Sequence, residues 1–101
     1  MSHPQKVMTT ETLTGTRVIT TAECKTYGIM SFDPGGAGRA ITLPTIADTI
    51  GQNLVIANTA DAAEVLTISD SVGTVCTPTQ AESAVLWNDG VRWRGIAGAN
   101  S

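Results

Sequence analysis

An all-β fold is predicted for this chain by three features. Short runs rich in β-branched and aromatic residues recur at intervals of about ten residues, Gly, Pro, Asn and Asp separate them, and only one stretch invites a helical turn. That spacing describes a compact antiparallel β-sandwich or barrel. With 101 residues the chain suits one domain, divided here into an extended N-terminal arm over 1–16 and a β domain over 17–101.

The arm is polar and threonine-rich, with Val7, Met8 and Leu13 as its larger apolar residues. Its β-branched content favours extension but supplies too little apolar surface for a core, so it is expected to be mobile alone and to order against something else. Residues 17–21 and 26–32 read as the first two strands. Asp33-Pro34-Gly35-Gly36-Ala37-Gly38 interrupts them as an exposed loop, since Pro presets one turn angle and Gly permits the others. Residues 40–43 alternate toward Pro44, which lacks a donor and marks a strand end or sheet edge. Residues 45–50 suit a single helical turn before Gly51, after which 52–58 and 65–68 resume as strands and 75–76 follow a turn at 69–74.

The strongest local signal is the hairpin over 83–96, in which two β-favouring runs flank Asp89-Gly90. Both residues tolerate positive φ, so a two-residue type I′ turn is predicted, placing Asn88 opposite Val91, Trp87 opposite Arg92 and Leu86 opposite Trp93. Alternation then puts Leu86 and Trp93 on an inner face and Trp87, Arg92 and Arg94 on an outer one.

Composition narrows the function classes. A net charge of −3, with 15% charged residues and cations scattered along the chain, disfavours a nucleic-acid partner, which requires clustered Lys and Arg. No apolar run approaches the roughly 20 residues of a membrane span, and the N-terminus lacks the apolar stretch of a secretory signal, so a chain made in the cytoplasm is expected. Cys24 and Cys76 have no CxxC spacing; a bridge between them is geometrically open, but buried thiols are the expectation. Aromatics are only 4%, so the core of a single copy should be lean and burial between copies would relieve it.

Catalytic patterns are absent. His3 is the sole histidine and lies on the arm, leaving neither cysteine nor any serine with a base; the glycine-rich loop lacks the Lys and Ser/Thr of a phosphate loop. Asp70-Ser71-Val72-Gly73 falls short of a calcium loop, and most of the carboxylates Asp48, Asp61, Glu64, Asp70, Glu82 and Asp89 read as solvated turn residues. No enzyme, cofactor or metal is therefore expected. Trp87 with Arg92 and Arg94 is the best candidate for a ligand surface, because indole stacks on sugars and arginine bonds hydroxyls; a cross-strand cation–π contact or a subunit interface is the favoured alternative.

Taken in order, Ile41-Thr42-Leu43-Pro44, Gly51-Gln52-Asn53-Leu54-Val55-Ile56-Ala57-Asn58, Leu66-Thr67-Ile68 and Leu86-Trp87-Asn88-Asp89-Gly90-Val91-Arg92-Trp93 form a set of words. That set resembles a recurrent module of tailed-bacteriophage virion proteins, found in small head-decoration (cement) proteins and in trimeric fibre parts. The resemblance implies a homotrimer on the outer surface of a phage capsid, with the major capsid protein as partner. The arm lies outside the module; its extended propensity and few apolar anchors suggest capsid contacts at Lys6, Val7, Met8, Thr9, Thr10 and Leu13, and the hairpin offers a candidate interface at Trp87, Asp89, Gly90, Arg92, Trp93 and Arg94. A trimeric head- or tail-fibre module that binds a receptor, and a small carbohydrate-binding module, are the alternatives.

Overall fold

The structure is a computed structural model and describes residues 6–100. Among them are ten strands: β1 (Lys6–Val7), β2 (Glu11–Thr12), β3 (Arg17–Val18), β4 (Tyr27–Asp33), β5 (Arg39–Thr42), β6 (Asn53–Asn58), β7 (Leu66–Ser69), β8 (Thr74–Cys76), β9 (Glu82–Asn88) and β10 (Trp93–Ala99). A helix α1 covers Thr21–Thr26, and a 3-10 turn covers Ile46–Asp48 where the sequence predicts a single helical turn. The protein is thus mostly β. One sheet has the order β1-β4-β6-β9-β10, with β2 also on β4, and the other runs β3-β5-β7-β8.

Period-2 burial builds both sheets. Met30 and Phe32 of β4, Leu54 and Ile56 of β6, Ala84 and Leu86 of β9, and Ile41, Leu66 and Ile68 of the second sheet all meet in one core with Trp93. Strands β4 to β9 fall within about one residue of the runs read from the sequence, and Leu86 and Trp93 face inward as the hairpin alternation predicts.

The pairing does not follow the antiparallel expectation. Five pairings are parallel, β1–β4, β2–β4, β3–β5, β4–β6 and β5–β7, and three are antiparallel, β6–β9, β9–β10 and β7–β8. From β2 to β7 the chain crosses to the opposite sheet after every strand, so each strand returns in its predecessor's direction. Glu11 pairs with Phe32, Arg17 with Ile41, Ile29 with Val55 and Arg39 with Leu66, an advance of 21, 24, 26 and 27 residues per coil. The sequence spacing marked each turn, but a turn toward the other sheet and a turn back along the same sheet use the same residues.

Helix α1 replaces the end of the first predicted strand. Thr20 and Glu23 form a reciprocal cap, Glu23 N–H donating to Thr20 Oγ1 at 3.1 Å and Thr20 N–H to Glu23 Oε1 at 3.0 Å. Residues 6–16 depart further from expectation: they are not a free arm. β1 and β2 lie along β4, Met8 packs against the core, and Leu13 is 3% exposed with its N–H on Asp33 O at 2.7 Å. A few apolar residues suffice here because β4 offers an open edge whose backbone groups they satisfy.

Candidate binding surfaces

The 83–96 hairpin forms, with a longer loop than predicted. Trp93 pairs with Asn88, Arg94 with Trp87 and Gly95 with Leu86, which leaves Asp89-Gly90-Val91-Arg92 as a four-residue loop. Gly90 has φ +92° but Asp89 has no positive φ, so the type I′ geometry is absent. The Asp89 side chain explains the change: Oδ1 accepts from Val91 N at 2.9 Å and Arg92 N at 3.1 Å, a local capping that a tight turn does not allow. Because the shift is two residues, the faces keep their parity. Leu86 and Trp93 still point inward and Trp87 and Arg94 outward, whereas Arg92 leaves the outer face for the loop.

Asp70 receives Arg92. Its carboxylate is shielded from solvent and accepts from Val72 N at 2.9 Å, Gly73 N at 3.0 Å, Trp93 N at 3.0 Å, Arg92 Nε at 3.2 Å and Arg92 Nη2 at 3.1 Å. Burial opposes that charge, yet the backbone N–H groups of Gly73, Trp93 and Val72 with the Arg92 charge hold the carboxyl below its ordinary range. Asp89 pairs with Arg94 at 2.9 Å and is held at about 2 by the N–H groups of Arg92 and Val91 and by Arg94. A shallow concavity of about 290 Å³ lies beside these pairs, lined by Thr74, Val75, Trp87, Arg92, Trp93, Arg94 and Gly95. Both arginines are compensated within the chain, so the concavity offers no uncommitted charge. The cation–π contact among the described residues is Arg17 over Phe32, 5.8 Å from the ring centroid, and not one on Trp87.

Trp93 does more than cover the inner face. It is fully buried, and its indole Nε1 donates to Pro44 O at 3.2 Å, joining the first and last words of the sequence pattern. Asn58 Oδ1 accepts from Ala60 N at 2.9 Å while its amide donates to Glu64 O and Pro78 O at 2.9 and 3.1 Å. Asn88 is held alike: Gly90 N donates to its Oδ1, and its Nδ2 donates to Ile46 O and Thr49 Oγ1. These motif residues build the fold.

No protein family, curated protein or solved structure matches the chain.

The N-terminal candidates divide. Lys6, Val7, Thr9 and Thr10 are exposed, whereas Met8 and Leu13 belong to the chain's own core and cannot fill sites on a partner. Sequence reasoning missed the bond that anchors this region: Arg17 reaches Glu11 at 2.9 Å and Glu23 at 2.6 Å, tying β2, β3 and α1 together. The Arg17 hydrogen bond, reinforced by the Thr20 N–H and partly opposed by burial, lowers Glu23 to about 2. The Thr-x-x-Glu spacing of the cap was its one readable signal.

Asp33, Asp61 and Glu64 bring one carboxylate oxygen each within 4.8 Å of one another and are the described residues that could offer oxygens to a cation. Asp61 is exposed as read, but Glu64 is half-buried and its Oε1 is shielded without a hydrogen-bond donor. Asp33 Oδ1 already accepts from Gly35 N at 3.0 Å. Cys24 and Cys76 are free thiols, each pushed up by burial.

Proposed function

We propose that this chain is a structural virion protein that binds the outer surface of a phage capsid as a homotrimer and stabilises the head. The observation that carries the reading is the joining of Pro44 to Trp93: the words that resemble the phage virion module are brought together as framework, with their polar atoms consumed inside the fold. The charges at the hairpin end are likewise paired internally, as Asp70–Arg92 and Asp89–Arg94, which suits a rigid block more than a site that must exchange partners with a ligand.

In this reading the two sheets form a compact β-sandwich that docks on the capsid shell where subunits meet. A trimer touching several neighbours at once combines weak contacts through effective concentration and so opposes expansion of the head. The exposed N-terminal edge, with Lys6, Val7, Thr9 and Thr10, is the part of the original capsid surface that remains open to a partner. The concavity beside Trp87 favours the second reading, a trimeric fibre module that binds a receptor or carbohydrate. Quantitative mass spectrometry of purified virions separates them. Copies in a multiple of three per repeating lattice site support decoration; a few copies at the tail or one vertex, with glycan binding by the isolated protein, overturn it in favour of the fibre reading.

A further inference from the structure

We infer that Asp89-Gly90 is this chain's site of spontaneous isomerisation to isoaspartate, and that the hairpin loop holds the reaction latent while the chain is folded. Asp89-Gly90 is the one step in the sequence where an aspartate or asparagine precedes glycine. Glycine has no Cβ, so its amide nitrogen approaches the preceding side chain with least hindrance. In the reaction Gly90 N attacks Asp89 Cγ, the N–H proton and the carboxyl OH leave together as water, and a five-membered succinimide closes. Water then opens the ring at either carbonyl. Opening at Cγ restores aspartate, whereas opening at the main-chain carbonyl leaves the backbone running through Cβ and one methylene longer.

The other aspartates are worse placed. Asp48 and Asp61 precede Thr49 and Ala62, whose Cβ atoms hinder the attack, Asp33 precedes Pro34, which has no N–H, and the Asp70 side chain is fully shielded. At Asp89-Gly90 the reacting atoms are held apart from the reaction by hydrogen bonds. Gly90 N–H donates to Asn88 Oδ1 at 2.9 Å, and Asn88 is itself fixed, 3% exposed with Nδ2 on Ile46 O and Thr49 Oγ1. The Asp89 carboxylate is engaged on both oxygens: Oδ1 accepts from Val91 N and Arg92 N, and Oδ2 from Arg94 Nε at 2.9 Å. Closing the ring breaks the bond to Asn88 and expels one of these two bonded oxygens. The same donors hold the carboxyl at about 2, so the protonated form, which is the one that can lose water, is about 100-fold scarcer at neutral pH than for an ordinary aspartate.

Prolonged incubation of the full chain at neutral pH, folded in buffer or unfolded in guanidinium chloride, tests this when isoaspartate is located by peptide mapping. The Arg94 side chain is 48% exposed, so Arg94→Ala should keep the wild-type circular dichroism. Asp89 should isomerise at least about tenfold faster in denaturant than in the folded chain. Arg94→Ala should speed the folded reaction about threefold or more and leave the unfolded rate unchanged. Equal rates in the folded and unfolded wild type overturn the latency, and a folded Arg94→Ala protein that reacts at the wild-type rate overturns the part played by that pair. Isoaspartate that forms in denaturant at Asp48 or Asp61 and not at Asp89 overturns the site.

Discussion

Asp70 holds Arg92 by two hydrogen bonds of 3.1 and 3.2 Å across 22 residues of chain, with the carboxylate fully shielded and the guanidinium partly open. The same carboxylate fixes Trp93 N–H, so a single side chain secures the turn after β7, the hairpin loop and the start of β10. Asp70→Asn keeps the shape but removes the charge and replaces one of the two acceptor oxygens with a donor NH2. We expect a loss of about 2–4 kcal/mol by urea denaturation, and a variant as stable as the wild type would refute the keystone role.

Acid should weaken the protein through the same class of group. Glu23 and Asp89 sit at about 2 and Asp70 is also lowered, so their contribution is complete above the unfolded carboxyl values near 4 to 4.5. It disappears as pH falls toward the folded values. The melting temperature should therefore hold from neutral pH to about 5 and decline between about 4.5 and 2. Glu23→Gln, which removes the largest single pairing with Arg17, should flatten that decline; a profile unchanged by Glu23→Gln would exclude this pair as a source.

Two glycines distinguish strain from collision. At Gly90, with φ +92° and its nearest neighbour Ile50 Cγ2 at 3.6 Å, there is room for a side chain but not for a β-branched one in that conformation. Gly90→Val should cost about 1–3 kcal/mol. At Gly35, also at positive φ, a Cβ would collide with the carbonyl oxygen of Leu13, a residue tied to the strand edge by its N–H on Asp33 O. Gly35→Ala should therefore cost more than Gly90→Ala, and the reverse order in thermal melts would contradict the placement of residues 6–16 on β4.

Leu13 tests that placement directly. Its burial at 3% makes it core, so Leu13→Ala should lose about 2–4 kcal/mol and removal of residues 1–16 should leave a poorly folded chain. A truncated protein with wild-type circular dichroism and melting temperature would restore the free-arm reading.

Glu64→Gln should stabilise. The substitution removes one of three carboxylates whose oxygens lie within 4.8 Å, and its amide can donate to Asp33 or Asp61 where Oε1 of the glutamate has no donor. A gain of about 1 kcal/mol in the metal-free protein is expected, and a loss of stability would show that the three acids do not repel one another.

The local quantities were legible along the chain. The strand runs at 40–43, 52–58, 65–68 and 83–88 could be read from their β-favouring residues, and the hairpin faces, with Leu86 and Trp93 inward, survived a two-residue change of register because side-chain direction has period two. Pro44 at a strand end, the turn at 46–48 and the buried Trp93 were readable for the same reason. Which strand lies beside which is set by the path of the folded chain. Parallel pairing of β2, β4 and β6 depends on where β3 and β5 go in between, and no dipeptide encodes that path. Residues 6–16 looked unable to fold because their apolar content was counted alone, whereas the edge of β4 supplies both the hydrogen bonds and the core that Leu13 completes. The pairings of Asp70 with Arg92 and of Arg17 with Glu11 and Glu23 were hidden likewise, since a charge's partner is set by the meeting of distant segments and not by its neighbours in the chain.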